Sequence, residues 1–258
     1  MKTLADKIES GIKTSVYYDP NGTYDVRDIL EGGDIHSVYA PGLMHHKIVI
    51  LDDATVFIGS ANMTTQSLRM HDNMMIGFVN RKVARFLKEH IPDTPGYLRT
   101  MVGGQDLELW LLPDNRGRAI NALRKRIRRA SRSIHLALFT FTHKGLLEEL
   151  IQAHKRGIEV TLVVDMHSGL GASREVVEKL RSSGVRLLFS QGTQLLHHKF
   201  AYIDGQTLIM GSANWTKAAF QKNCDSLIIL HSLNDEQKKF MNRLWRRIEI
   251  EAKESAKS

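Results

Sequence analysis

Along the second half of the chain, short apolar runs alternate with segments whose apolar residues return every three or four positions. The first pattern suits buried strands and the second suits helices packed by one face. Strands are expected at Leu107–Leu112, Ser133–Thr142, Val160–Val164, Val185–Phe189, Lys199–Ile203, Leu208–Met210 and Leu227–Leu230. Helices are expected near Arg116–Arg132, Gly145–Arg156, Ser173–Ser183 and Asp235–Ile248, with a charged, frayed tail over Glu249–Ser258. In the first of these helices Ile120, Leu123, Ile127 and Ala130 fall on one side and the rest is basic. Strands alternating with helices of this length predict an α/β fold built on mixed sheets.

The chain also repeats itself. His-His-Lys-Ile-Val-Ile-Leu-Asp from His45 returns as His-His-Lys-Phe-Ala-Tyr-Ile-Asp from His197, and Gly59-Ser60-Ala61-Asn62 returns as Gly211-Ser212-Ala213-Asn214. His197 lies 152 residues after His45, and the spacing holds without a gap from His45 through Thr64. The shared pattern is H-x-K-x4-D-x6-G-S-A-N-x-T, with Asp52 and Asp204 as its carboxylates. Upstream, Gly11–Asp19 matches Gly157–Asp165. A repeat of this length indicates two similar α/β halves, which a pseudo-twofold axis would relate. The division expected is residues 1–102, residues 103–248 and the tail 249–258. Pro92–Gly96 and Gly103-Gly104 punctuate the join. If Gly11 matches Gly157, the first half has no counterpart of roughly Leu107–Leu146: a strand, a helix and a long strand. That half therefore reads as truncated, with an unpaired strand edge that a homodimer or a partner chain would complete.

Composition narrows the class of partner. The 258 residues carry 36 Lys+Arg against 28 Asp+Glu, a formal charge of +8, which favours polyanions or an anionic surface. The densest run, Arg124–Arg129, lies on the basic helix. One cysteine, Cys224, excludes an intramolecular disulfide and a Cys-rich zinc module. There is no apolar leader and no stretch long enough to span a bilayer, so the cytoplasm is the compartment expected by default.

The repeated residues fit phosphate chemistry. Side chains two apart on a strand share a face, so His45 projects with Lys47 and His197 with Lys199. An imidazole beside an ammonium can attack phosphorus or move a proton while the ammonium holds anionic oxygen. The hydroxyls of Ser60 and Ser212 and the amides of Asn62 and Asn214 can donate to phosphate oxygens. Four adjacent histidines could instead bind a metal, but the interleaved lysines oppose a cation. No metal or other cofactor is expected.

These paired motifs resemble the HKD signature of the phospholipase D superfamily, over nearly the whole chain. The second copy is similar to the small nuclease-like and cardiolipin-hydrolase-like members. The resemblance implies two α/β/α halves sharing one active site at their interface, a covalent phosphohistidine and no metal. It assigns catalytic roles to His45, Lys47, His197 and Lys199, phosphate contacts to Ser60, Asn62, Ser212 and Asn214, and supporting roles to Asp52 and Asp204. A carboxylate beyond the motif orients the imidazole in this family. The corresponding position here is Asp225 in the second copy and Asn73 in the first. On that basis Asp225 is expected to serve His197, making His197 the nucleophile and His45 the general acid. The substrate expected is a phospholipid at a membrane surface, with DNA or RNA cleavage, or weak binding of either polyanion, as alternatives. His46 and His198, on the opposite strand face, are expected to pack. Tyr17 and Tyr18 are expected in a sheet, Cys224 as a small buried hydrophobe, and Trp215 either in a channel or in the core.

Overall fold

The computed structural model describes residues 2–191 and 194–254. Nine strands form the main sheet, in the order Ala252–Glu254, Arg186–Ser190, Glu159–Asp165, Ser133–Leu138, Lys199–Ile203, Thr207–Gly211, Ser226–Leu230, Gln105–Leu111 and Gly96–Val102. Ser133–Leu138, Glu159–Asp165 and Arg186–Ser190 run parallel, joined by helical crossovers, and the remaining pairs are antiparallel. This is the mixed sheet that the alternating pattern predicts. Helices Arg118–Arg129, Lys144–Lys155 and Arg174–Ser182 cover its outer face, where Leu123, Ile127, Leu146, Leu150 and Leu180 meet Leu136, Leu162, Ile203 and Ile209.

The first half repeats this plan incompletely. Ser15–Tyr18 pairs in parallel with Asp34–Ser37, and Ile48–Leu51, Thr55–Gly59 and Met75–Val79 form a separate antiparallel sheet. Helix Arg81–His90 buries Val83, Ala84 and Leu87. The inner face of the three-stranded sheet, with Val56 and Ile58, packs in one cluster with Phe200, Tyr202, Leu208 and Met210 of the main sheet. Val56 and Leu208 are repeat mates, as are Ile58 and Met210, and Ile48 and Ile50, the mates of Phe200 and Tyr202, pack against the same cluster, so the two halves meet by equivalent faces. Two short parallel contacts stitch the seam: Met44 with Cys224, and Leu195–Leu196 with His71–Asp72.

Three boundaries differ from the sequence reading. Gly103-Gly104 is not a linker between halves: both residues have positive φ (55° and 79°), and they turn a two-residue hairpin between Val102 and Gln105. Strands right-twisted on either side favour that mirror-image turn, and glycine enters it without a steric penalty. Gly96–Val102 therefore adds an edge strand to the second half's sheet. The tail is more ordered than expected. Helix Asp235–Glu251 opens on a capping box between Asn234 and Gln237, and buries Met241, Trp245 and Ile248. It is followed by Ala252–Glu254, paired antiparallel to Arg186–Ser190, while residues 255–258 of that expectation lie outside the described residues. Finally, the long strand expected to reach Thr142 ends at Leu138, so that Phe139 lies beside the site described below.

The two motif aspartates also part company. Asp204, in a left-handed conformation (φ 54°), accepts from the backbone N–H groups of Ser131 (2.9 Å), Arg132 (2.7 Å) and Ser133 (3.0 Å) and from the Ser131 hydroxyl (3.0 Å). It fixes the turn that starts strand Ser133–Leu138. Asp52 has the same backbone conformation (φ 50°), but its carboxylate makes no hydrogen bond or ion pair with any described residue. Because asparagine tolerates the left-handed backbone, Asp204→Asn is expected to lower stability by about 2 kcal/mol, and Asp52→Asn by no more than about 0.5 kcal/mol. Parallel urea titrations of the two variants measure the difference.

Candidate active site

Each motif histidine sits at the seam, held by the opposite half. The His45 N–H donates to the Cys224 carbonyl (2.8 Å) and the His197 N–H to the Asp72 carbonyl (2.9 Å), a pair of repeat mates. The side chains cross in the same way. His45 Nδ1 lies 2.7 Å from Asp225 Oδ1, and His197 Nδ1 lies 2.9 Å from Asn73 Oδ1. The sequence reading placed Asp225 on His197; the structure places it on His45. The correction has a simple cause. Asp225 follows its own half's motif in sequence, but both follow-on segments lie on the seam, where each faces the other half's histidine.

The orienting groups are themselves fixed. Asp225 is fully buried, and its Oδ1 also accepts the Ser212 hydroxyl (2.7 Å). His45, that hydroxyl and the nearby Lys47 hold its pKa below the usual carboxylate value despite burial. As an ionised carboxylate it only accepts, so His45 carries a proton on Nδ1. Asn73 donates its amide to the Ser67 carbonyl (2.8 Å) and accepts the Ser60 hydroxyl on Oδ1 (2.9 Å). That fixes the amide with its oxygen toward His197, so His197 too is protonated on Nδ1 and keeps its Nε2 lone pair free. Ser60 and Ser212, read as phosphate contacts, thus donate to the residues that orient the histidines. Their own oxygens accept the N–H groups of Met74 (3.1 Å) and Ser226 (2.9 Å). The preceding glycines permit this approach: a Cβ at Gly59 or Gly211 would stand 2.1 Å from the carbonyl oxygen of Met74 or Ser226. Asn62 and Asn214 remain half-buried, and Asn214 Oδ1 has no partner among the described residues.

Both lysines are buried. Lys47 Nζ donates to the His45 carbonyl (2.9 Å) and Lys199 Nζ to the His197 carbonyl (2.8 Å). Burial pulls Lys47 down to about 8, and burial together with the Lys47 charge holds Lys199 well below its ordinary value. The histidines differ. Burial lowers both, but at His45 the Asp225 carboxylate opposes it, whereas at His197 the two lysines reinforce it and the pKa falls to about 2. The site thus holds excess positive charge in a poorly solvated place, an arrangement that favours an anion. Sequence reasoning missed Phe139, whose ring lies 5.0 Å from that of His197 and 5.0 Å from Lys199 Nζ, and His71, 6.0 Å from His197. Neither belongs to the repeated motif.

The remaining candidates fall outside the chemistry. His198 and His46 are forced neutral by burial, to about 3 and about 4. Trp215 is a core residue set edge-on to Phe141. Cys224 is buried, its thiol pushed up to about 11, and serves through its carbonyl. Tyr17 and Tyr18 lie in strand Ser15–Tyr18 as expected. The basic helix Arg118–Arg129 is partly neutralised by Glu108 on Arg126 (2.6 Å), Glu149 on Arg128 and Asp114 on Arg118 (3.6 Å), and it packs on the sheet's outer face rather than at the seam.

The family described as "Cardiolipin synthase, PLD-like domain" matches residues 3–92 and 123–248. The chain belongs to this phospholipase D-like family. It is 36% identical over 119 residues to "Mitochondrial cardiolipin hydrolase" of Xenopus laevis, covering 45% of this chain and 56% of that protein. The chain thus spans about half the length of that relative. Among solved structures, it matches the phospholipase D family member Nuc of Salmonella typhimurium (TM-score 0.54, 24% identity, 58% of this chain and 99% of that one). It also matches phosphatidylserine synthase of Haemophilus influenzae Rd KW20 (TM-score 0.71, 11% identity, 98% of this chain and 85% of that one). Both show the fold. Within this phospholipase D-like chain, the match to the family runs through both motifs and breaks across the hairpin and the start of the basic helix. Among the described residues no helix is long and apolar enough to cross a membrane.

Of the histidines whose pKa burial lowers, His46, His197 and His198 fall to between about 2 and about 4 and make stability pH-dependent. Below about 6.5 the unfolded chain takes up protons on His46, His197 and His198 that the native state refuses, so stability falls as pH falls. Each contributes a slope of about 1.4 kcal/mol per pH unit while only the unfolded state is protonated. Denaturation midpoints are expected to drop steeply from pH 6.5 to pH 4.5, and less steeply in His198→Asn.

Proposed function

We propose that the chain is a metal-independent phosphodiesterase that cleaves phospholipid through a phosphohistidine on His197, with His45 as the acid–base partner. The observation that carries this reading is the unequal pair of crossed hydrogen bonds, carboxylate on His45 and amide on His197. A nucleophile needs a free lone pair, and His197 keeps one on Nε2. A general acid needs a proton, and His45 has the counter-charge that favours imidazolium. The roles are those expected from sequence, for a different reason: the carboxylate supports the acid rather than orienting the nucleophile.

In the first step His197 Nε2 bonds to phosphorus as the phosphorus–oxygen bond to the leaving alcohol breaks. His45 Nε2–H gives that oxygen its proton. In the second step neutral His45 takes a proton from water, the water oxygen bonds to phosphorus, and the phosphorus–nitrogen bond breaks. An alcohol in place of water gives transfer. Lys47 and Lys199 hold the non-bridging oxygens, and a bound phosphodiester supplies the negative charge that favours both ammoniums. Asn62 and Asn214 stand near as further phosphate contacts.

A phospholipid substrate is favoured by the relative named as a cardiolipin hydrolase, the family described as cardiolipin synthase, and the partial neutralisation of the basic helix that would otherwise favour nucleic acid. Vesicles of cardiolipin or phosphatidylcholine, and separately single-stranded DNA, would be incubated with the protein in EDTA. Phosphatidic acid release is expected, falling by at least about 100-fold in His197→Ala and in His45→Ala. Acid-free quenching followed by peptide mapping is expected to find the phosphoryl adduct on His197. An adduct on His45 would reverse the roles, and DNA nicking without lipid turnover would move the substrate to nucleic acid.

A further inference from the structure

His197 differs from His45 in its neighbours as well as in its orienting group. The rings of Phe139 and His71 lie 5.0 Å and 6.0 Å from its own, whereas no aromatic ring of a described residue contacts His45. Phe139 is apolar and packs against both His197 and the Lys199 ammonium. His71 carries unspent chemistry. Its main chain is fixed twice: it pairs in parallel with Leu195, two residues before His197, and its carbonyl accepts the Asn73 amide (3.3 Å). Its half-buried side chain makes no hydrogen bond or ion pair with a described residue, and Nδ1 is buried without a partner. With no acceptor at Nδ1, the neutral ring carries its proton on Nε2.

The repeat shows what this position does when the fold alone uses it. The mate of His71 is Asn223, 152 residues on. Its Oδ1 accepts the Leu43 N–H (3.1 Å) and its amide donates to Asp225 Oδ2 (3.4 Å), so that side chain is consumed in holding the seam and the group that orients His45. In the first half an imidazole replaces the amide, tilted 56° to the His197 ring, and holds nothing. We propose that His71 is a phosphate-binding residue of the site: its Nε2–H donates to a non-bridging oxygen of the phosphoryl group that His197 attacks. With His197 and His45 at the two ends of the reaction axis, an imidazole beside His197 meets the phosphoryl group from the side. It adds a donor there without entering the proton transfers, and it keeps its contact when phosphorus bonds to His197 Nε2. Asn223, already spent at the seam, offers no such donor beside His45, so the added contact falls on the phosphohistidine side. The inference rests on the phosphodiesterase reading, but only on its phosphate chemistry, since lipid and nucleic-acid esters present the same oxygens.

The probe is inorganic phosphate, titrated into the full chain labelled with nitrogen-15 at histidine. The His71 Nε2 resonance is expected to shift with the same midpoint as that of His197. Two substitutions separate the ring nitrogens: glutamine sets an N–H near the Nε2 position, and asparagine sets one near Nδ1. His71→Gln is expected to bind phosphate within about threefold of the parent and His71→Asn about tenfold more weakly. Asparagine is the residue that the repeat mate carries, and urea midpoints report on the fold of both variants; should either fail to fold, the shift in the parent decides. A His71 resonance that phosphate leaves unmoved, or a His71→Asn variant that binds as tightly as the parent, overturns the proposal and leaves the phosphodiesterase reading standing. Equal weakening in both variants makes the role structural and overturns it as well. A parent chain that binds no phosphate overturns both readings.

Discussion

The crossing of hydrogen bonds at the seam is the constraint from which the rest of this molecule follows. Each motif histidine has its main chain and its ring held by the opposite half, through Cys224 and Asp225 on one side and Asp72 and Asn73 on the other. Neither half alone contains an oriented imidazole. The cluster of Val56, Ile58, Phe200, Tyr202, Leu208 and Met210 beneath the seam therefore does more than exclude water: it sets the register on which both rings depend. A side chain two bonds from the chemistry is only as well placed as the sheet-on-sheet packing that carries it.

Burial at that seam creates the electrostatic character of the site. Two lysines and two histidines share it with one carboxylate in direct contact among the described residues, Asp225 on His45. Desolvation penalises every positive group, and the mutual repulsion of Lys47, Lys199 and His197 adds to the penalty. On the proposed reading a phosphodiester would relieve this excess, so that affinity for anions and reactivity toward them would have one origin. Replacement of a carboxylate by the amide of Asn73 makes two repeated sites chemically unequal although their geometry is nearly the same.

Inequality of the halves extends to their architecture. The second half is a nine-stranded sheet with helices over its outer face, whereas among the described residues the strands of the first half form separate two- and three-stranded sheets. Asp52 shows how strongly the repeat preserves local conformation: the loop keeps its left-handed turn although its carboxylate binds none of the described residues. The first motif keeps its place because Ile48–Leu51, Thr55–Gly59 and Met75–Val79 pack by their inner face onto the other half.

Much of this was legible in the chain itself. The apolar run gave strand Lys199–Ile203, buried on both faces, and the 3.6-residue periodicity gave the helices of the second half, because burial imposes those patterns directly on sequence. The repeat gave the paired His and Lys residues and the pseudo-twofold. What the sequence could not decide was which side chain of one half meets which of the other. Asp225 and Asn73 are read beside their own motifs, and only the packing of two sheets, a non-local fact, crosses them. The same reason explains Ser60 and Ser212, whose hydroxyls suit phosphate by chemistry but are claimed by groups 13 residues away once the strands pair. It also explains Phe139, which no motif marks and which reaches the site because its strand ends one residue earlier. Local periodicity is written residue by residue, whereas contacts between halves depend on which surfaces meet, and that is settled only when the chain folds.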